Sequence, residues 1–168
     1  MKLIGLLTLF LVIPILFFGN TMSLEIFHSD FFKYEGLEYI ACDGGTIKYY
    51  SAPTGKLFNE YGLSFSYIEN RSSDFFDEIG LPMMAKIYYG TVFDSNPDGV
   101  FGYKVDNRTG LMAAGFEQFG WYLGLFPELY LRLQAVYVSL GTGIEIGNFF
   151  NGEVVSSWEV NLELGYTF

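Results

Sequence analysis

The chain has few cysteines and few basic residues. Of its 168 residues one is cysteine and nine are Lys or Arg, against 19 acidic residues and a formal net charge of −10. Cys42 alone permits no internal disulfide and no cysteine metal cluster, so we interpret it as a small buried or lipid-facing residue. A protein that neutralises phosphates needs a basic face, so the composition argues against nucleic acid as a partner.

Long apolar runs are also missing after the N-terminus. Beyond residue 23, no stretch of 18 residues is apolar and free of charges. A helix needs about 20 such residues to cross a bilayer, so any membrane insertion would have to use strands. The sequence also offers no convincing catalytic constellation, metal site or cofactor motif, and we expect a noncatalytic protein.

What the chain does contain is aromatic and apolar. It is 51% hydrophobic and 20% aromatic, with 18 Phe, 13 Tyr and 20 Gly. That much apolar surface would overfill the core of a soluble domain of this length, so part of it is expected to face lipid. Phe, Tyr and Gly together favour strands, tight turns and aromatic girdles over helices.

The N-terminus has the pattern of a secretory signal. Met1 and Lys2 precede an apolar run over residues 3–18, and small or polar residues follow over 19–23. This is the order of a positive, an apolar and a cleavage region, and it predicts a signal peptide over residues 1–23 and a mature domain over 24–168. An uncleaved signal anchor is the alternative.

The last eleven residues alternate strictly. Large apolar or aromatic side chains occupy the even positions from Trp158 to Phe168, and polar residues or Gly occupy the odd ones. A period of two predicts a strand between an apolar and a polar medium. The segment resembles the final strand of bacterial outer-membrane barrels. That resemblance implies a signal read by the barrel-assembly machinery, carried here by Val160, Leu162, Leu164, Tyr166 and Phe168.

The mature length fits eight tilted strands of about 10 residues each. Turn residues divide it at 43–45, 53–55, 96–99, 107–110, 127–128 and 151–152. The predicted fold is therefore all-β, a single up-and-down antiparallel transmembrane barrel, and it resembles the OmpA/OmpX-type barrels in size and end signals. The predicted strands are 34–42, 46–52, 57–69, 83–93, 100–106, 111–126, 129–147 and 154–168.

The strand predicted over 129–147 is long, and its apolar parity changes near Ser139. Leu129, Leu133 and Tyr137 are expected to point outward before the change, and Leu140 after it. A bulge near Gly141 explains the change if the strand is continuous. A turn there would instead raise the count, and the segment 24–32 would then add a strand to give ten.

Four charged residues fall on the inward parity of the predicted strands: Arg132, Glu145, Glu159 and Glu163. The interior of an eight-stranded barrel is filled by side chains, and buried charges need partners. We therefore predict a structural polar network in the lumen. A proton or ion path is the alternative.

The longest predicted connection, residues 70–80, would lie outside the cell if both termini are periplasmic. Phe75, Phe76 and Asp77 in it form a candidate contact site, although the two rings equally fit an aromatic girdle. His28, Ser29 and Asp30 resemble the His, Ser and Asp with which one family of small outer-membrane barrels transfers acyl chains. Adjacent residues of an extended chain point to opposite faces, however, so His28 and Ser29 are not expected to converge. That segment is also expected to precede the first strand, which would leave it periplasmic.

We therefore predict a noncatalytic protein of the cell outer membrane, either an envelope structural component or an adhesin-like surface binder acting through its external loops. Its expected partners are outer-membrane lipid, the barrel-assembly machinery, and host or envelope proteins. The alternatives are a narrow porin-like channel, a lipid-modifying barrel enzyme and a secreted lipocalin-like carrier.

Overall fold

The computed structural model describes residues 20–33, 39–51, 55–69, 82–115 and 117–168. They form eight antiparallel strands that pair in chain order, and the last strand returns to the first to close a barrel. The predicted all-β, eight-stranded, up-and-down barrel is confirmed. The strands are β1 (Thr21–Lys33), β2 (Tyr39–Tyr50), β3 (Leu57–Ile68), β4 (Met83–Asp94), β5 (Phe101–Ala114), β6 (Gln118–Leu133), β7 (Val136–Phe149) and β8 (Val154–Thr167).

Among these residues, no helix is long and apolar enough to cross a membrane.

Every strand alternates between an exposed and a buried face, as the period of two requires. On β3, Tyr61 and Phe65 are exposed whereas Ser64 and Ser66 are buried, in agreement with the predicted parity. The exposed face carries the large apolar side chains, and the buried face carries most of the charged ones. The barrel is thus apolar outside and polar inside, the reverse of a soluble domain.

The first two strands differ from the prediction. The chain does not turn at Asp43 to Gly45, because β2 runs through these residues and pairs there with β3. Gly44 is needed for close packing, since a Cβ at this position would lie 2.5 Å from the ring of Phe27 and 2.5 Å from the carbonyl oxygen of Phe65. The predicted strands 34–42 and 46–52 are therefore one strand, and the segment 24–32, expected to precede the barrel, belongs to β1.

The turns predicted at 107–110 and 127–128 are also wrong. Residues 107–110 lie inside β5, and Pro127 lies inside β6. The pairing of β6 with β7 stops after Leu125 and resumes at Glu128 in the same register, so the missing N–H of Pro127 interrupts the ladder without shifting it. The real turn is at residues 134–135, where Gln134 adopts a φ of 57°.

This turn explains the change of parity that a bulge near Gly141 was meant to explain. Leu129 and Leu133 point outward on β6, and Leu140 points outward on β7, as predicted. Tyr137 was predicted to point outward but is buried. The two-residue turn makes the even positions of β7 face outward, beginning with Val136, whereas the odd positions of β6 do so. The ten-strand alternative is wrong. The segment 24–32 does add a strand, but the predicted strands 34–42 and 46–52 form one strand, so the total remains eight.

The two ends of the barrel differ in their connections. Thr21 pairs with Thr167, so β1 begins and β8 ends at the same end, which we call the terminal end. The connection across residues 69–82 joins β3 to β4 at the opposite end, which we call the far end. The longest predicted connection therefore does lie opposite the termini.

The structure also bears on where the barrel begins. Thr21, Met22 and Ser23 pair with both β2 and β8, although the predicted mature chain starts at Leu24. Cleavage before Leu24 would remove the first three residues of β1. Residues 1–19 lie outside the described part of the chain, and the signal peptide stays a prediction.

Candidate functional site: the barrel interior and its outer wall

The middle of the barrel holds a dense group of ionisable side chains. All eight strands contribute to the buried charged residues of the interior, and five carboxylates meet three basic groups at its centre. We call this group the central ionic cluster. It consists of Glu25, Lys48, Glu60, Lys104, Asp106, Arg108, Glu128 and Glu163.

Two lysines hold the carboxylates of different strands together. The ammonium of Lys48 lies 2.5 Å from Oε2 of Glu25 and 3.1 Å from Oε2 of Glu163. The ammonium of Lys104 lies 2.7 Å from the same Glu163 oxygen and 3.1 Å from Oε2 of Glu128. Glu163 also accepts hydrogen bonds from the hydroxyl groups of Tyr50, at 2.7 Å, and Tyr137. These contacts give the buried charges the partners they need.

Arg108 completes the cluster on its other side. Its Nη2 lies 3.2 Å from a carboxylate oxygen of Glu25 and 3.2 Å from one of Asp106. Its guanidinium carbon lies 3.9 Å from the centre of the Phe126 ring, a stacking distance for a cation on an aromatic face. Gly143 makes room for that ring, because a Cβ there would lie 2.1 Å from Cδ1 of Phe126.

Apolar side chains close the barrel beyond these charges. A layer at the far end is buried and comes from all parts of the sheet: Phe31, Cys42, Ile68, Met84, Met112, Ala114, Tyr122, Phe149 and Val155. At the terminal end, a cavity of about 60 Å³ lies among Tyr50, Lys104 and Arg132. That volume holds a few waters at most. The described interior is therefore filled rather than open.

A carboxylate trio in the cluster has the spacing of a metal site. One oxygen from each of Glu25, Glu128 and Glu163 lies within 4.8 Å of the others. The ammonium of Lys48 already stands among them, 2.5, 3.8 and 3.1 Å from the respective side chains. A lysine in this place supplies the positive charge that a metal would bring, so the trio does not fit a divalent cation.

The residues predicted for the lumen network separate into three places. Glu163 is part of the central ionic cluster, and Glu159 lies beside it with one oxygen 3.8 Å from Arg108. Glu145 is paired with Lys86 nearer the far end. Arg132 lies apart at the terminal end, half-buried, where it contacts the carbonyl of Pro97 and lies 3.4 Å from Asp94.

Sequence reasoning missed most of the cluster. On β5, Lys104, Asp106 and Arg108 share one parity, which is the signal that marks an inward polar face. Because a turn was predicted at 107–110, the predicted strand ended at residue 106, and the shared parity of Arg108 with Lys104 and Asp106 was not recognised. Glu25 and Lys48 were missed because β1 was not recognised and β2 was split.

The C-terminal strand lies as its alternation indicates. Leu162, Leu164, Tyr166 and Phe168 are exposed on the outer wall, and Val160 is half-buried beside them. Their role as an assembly signal stays a prediction. Phe75, Phe76 and Asp77 lie outside the described residues.

His28 and Ser29 point to opposite faces of β1, as adjacent strand residues must. Ser29 is buried inside the barrel, whereas His28 is exposed on the outer wall. Its partners there are Asp43, with Oδ1 2.7 Å from Nδ1, and Asp30, with Oδ1 3.2 Å from Nε2. A serine nucleophile activated by His28 is therefore not present at this position.

Comparison with known proteins shows the fold. No protein-family model matches the chain, and no curated protein matches its sequence. Among solved structures, the barrel is similar to the crystal structure of Neisserial surface protein A, with a TM-score of 0.73 and 12% sequence identity. The match covers 89% of this chain and 97% of that one. The predicted resemblance to small outer-membrane β-barrels is confirmed at the level of the fold.

Proposed function

We propose that this protein is a noncatalytic barrel of the bacterial outer membrane that supports the envelope and binds partners through its far-end loops. The observation that carries the proposal is the distribution of charge and apolar surface. Leu24, Ile87 and Leu129 are 57%, 60% and 58% exposed on the wall, whereas Glu25 and Lys48 are 0% exposed inside. Such a wall is stable in hydrocarbon and unfavourable in water.

The connections support the orientation that we propose. Outer-membrane barrels have short periplasmic turns and longer external loops. At the terminal end, β6 and β7 are joined through two residues, Gln134 and Ala135, whereas the far end carries the connection over residues 69–82. We therefore place the terminal end in the periplasm and the far end outside the cell.

Labelling of intact cells tests both location and orientation. Asn151 lies in the far-end turn between β7 and β8, and Asp98 lies in a terminal-end turn; both are exposed. A membrane-impermeant maleimide should label Asn151→Cys on intact cells and Asp98→Cys after permeabilisation. Because Cys42 is buried, the unsubstituted protein is the background control. Labelling of Asp98→Cys alone on intact cells would reverse the orientation.

The binding role rests on the loop that contains Phe75, Phe76 and Asp77. Paired aromatic residues next to carboxylates suit a protein contact, because interface centres are rich in aromatic residues. Replacement of both Phe residues by Ser should abolish capture of host or envelope proteins on intact cells. Asn151→Ser, in the far-end turn between β7 and β8, is the matched control. Unchanged capture by the double variant would remove the loop from the proposal.

The filled interior bears on the narrow-channel alternative. Charged side chains at the centre and the apolar layer at the far end fill the described part of the barrel and block a path for ions through it. The purified protein should therefore show no steady conductance in planar bilayers. A stable unitary conductance, absent from a mock preparation, would favour the channel.

A further inference from the structure

The interior of the barrel contains more buried acids than buried bases. Among the described residues, eight carboxylic acids and four basic side chains are buried. Outside the central ionic cluster, Asp94 lies 3.4 Å from the half-buried Arg132, and Glu145 is paired with Lys86. Glu159 is the remaining buried acid, and none of the described buried bases is left to pair with it. A buried negative charge without a counter-charge is costly, so a further positive charge is needed near Glu159.

The basic group that approaches Glu159 is already engaged by other carboxylates. Nη1 of Arg108 lies 3.8 Å from Oε1 of Glu159, which is beyond hydrogen-bond distance. The same guanidinium donates hydrogen bonds to Glu25 and Asp106 at 3.2 Å and to Glu128 at 3.5 Å. Its single positive charge is shared among these three carboxylates, so it does not neutralise Glu159 as well.

Glu159 on β8 faces a second polar side chain that lacks a partner. Ser29 on β1 is its register partner, so the two Cβ atoms lie about 4.5–5.5 Å apart. Ser29 is 0% and Glu159 is 2% exposed. Neither Oγ of Ser29 nor Oε1 of Glu159 forms a hydrogen bond with the described residues. A hydrogen bond from the Ser29 hydroxyl would leave the carboxylate charged, whereas a proton on Glu159 removes the charge and supplies a donor for the serine oxygen.

The charges around Glu159 balance without it. The ionisable groups that face it are Glu25 of β1, Lys86 of β4, Arg108 of β5, Tyr122 of β6 and Glu145 of β7, with Cys42 of β2 on the other side of Ser29. A tyrosine hydroxyl and a cysteine thiol are uncharged at neutral pH. The two acids and the two bases of this set cancel, so an ionised Glu159 would add an uncompensated negative charge to the interior.

We propose that Glu159 binds a proton in the closed barrel, and that this proton lies between Oε1 of Glu159 and Oγ of Ser29. The carboxylic acid donates the hydrogen bond, and the serine hydroxyl accepts it. At neutral pH the glutamate of an unfolded chain is ionised, so closure of the barrel takes up this proton from solution. The site depends on the closed barrel and goes beyond the proposed location and loop binding.

Infrared spectroscopy of the barrel refolded in detergent detects the proton directly, and the result does not depend on where the protein resides in the cell. The carbonyl stretch of a protonated carboxylic acid is separate from the stretches of carboxylates. At neutral pH the native protein should show a protonated-acid band that Glu159→Gln lacks. Glu117→Gln, in an exposed far-end turn, should keep the band. Absence of the band from the native protein, or an unchanged band in Glu159→Gln, would overturn the site.

A second variant tests the place of the proton while Glu159 remains. Ser29→Ala removes the acceptor of the proposed hydrogen bond. The protonated-acid band should then move to higher frequency, because a carboxyl group that no longer donates has a stiffer carbonyl bond. A band at the native position in Ser29→Ala would show that the proton is not shared with Ser29 and would overturn the proposed pair.

The pH dependence of unfolding gives an independent measurement. The folded barrel holds one proton more than the unfolded chain, so its stability should fall as the pH rises above about 5. Glu159→Gln cannot bind this proton, and the other ionisable groups are common to both proteins. In urea titrations, the unfolding constant of the native barrel should therefore rise relative to that of Glu159→Gln by about tenfold per pH unit. A ratio that does not change with pH would contradict proton uptake at Glu159.

Discussion

The ammonium of Lys48 on β2 lies 3.1 Å from Oε2 of Glu163 on β8, although β1 separates these strands in the sheet. The contact crosses the lumen rather than following the ladder. It couples the second strand to the last, and Lys104 on β5 reaches the same oxygen from the opposite wall. The central ionic cluster therefore acts as an internal brace for the closed barrel.

Removal of Lys48 tests this brace. Lys48→Met should lower the free energy of unfolding by about 3–5 kcal/mol, because carboxylates that lose a buried partner remain desolvated. Urea titration of the barrel refolded into lipid vesicles measures the change. Lys56→Met, in an exposed turn, should shift the value by less than about 0.5 kcal/mol. Equal midpoints for the two variants would show that the cluster does not brace the barrel.

The packing of Phe126 against Gly143 gives a second prediction. Gly143→Val places side-chain atoms where the Phe126 ring now lies, and it should cost about 1–3 kcal/mol or block folding. Ile144→Val on the outward face of the same strand should cost less than about 1.5 kcal/mol. The fraction folded is measured by electrophoretic migration with and without boiling. A Gly143→Val barrel whose folded fraction follows that of the native protein throughout a urea titration would contradict the described packing.

The outer wall of the barrel also carries polar side chains, and one of them is an amide. Asn107 is exposed on β5, with Thr91 and Leu125 as its register partners on either side. An amide in hydrocarbon is unfavourable, so Asn107→Leu should raise the free energy of unfolding in vesicles by about 1–2 kcal/mol. The reverse change, Leu125→Asn, should lower it by a similar amount. Destabilisation by Asn107→Leu would indicate that this face does not meet lipid.

The parts of the fold that sequence predicts well are those with uninterrupted alternation. β3, β4 and β8 start and end within one or two residues of the prediction, because no cluster of turn residues interrupts them. Parity also located Glu145, Glu159 and Glu163 on the inward face. These features are local, and a single strand carries them.

The features of the fold that were not predicted from the sequence depend on contacts between neighbouring strands. Gly44 and Pro127 carry the chemistry of turns, yet each lies inside a strand because its neighbours hold the register. Gly44 fits a crowded interior, and the ladder on both sides of Pro127 tolerates one missing N–H. The pairing of His28 with Asp43 likewise depends on the register between β1 and β2, which a single sequence does not reveal.

The C-terminal residue provides a prediction about assembly. The backbone N–H of Phe168 donates a 3.0 Å hydrogen bond to the carbonyl of Asn20, and its ring packs against Tyr166 with centroids 5.2 Å apart. If Phe168 is also read by the barrel-assembly machinery, Phe168→Ser should reduce the amount of assembled barrel in cells while purified protein still folds in detergent. Phe150→Ser, in a far-end turn, is the control. Normal assembly of Phe168→Ser would remove it from the signal.

The most direct test of the account is membrane fractionation followed by electrophoresis of detergent-extracted protein with and without boiling. An outer-membrane barrel closed around an ionic core should be found in the outer-membrane fraction and should migrate faster before boiling than after it. A periplasmic, detergent-independent protein whose migration does not change on boiling would contradict the membrane location and favour a secreted lipocalin-like carrier.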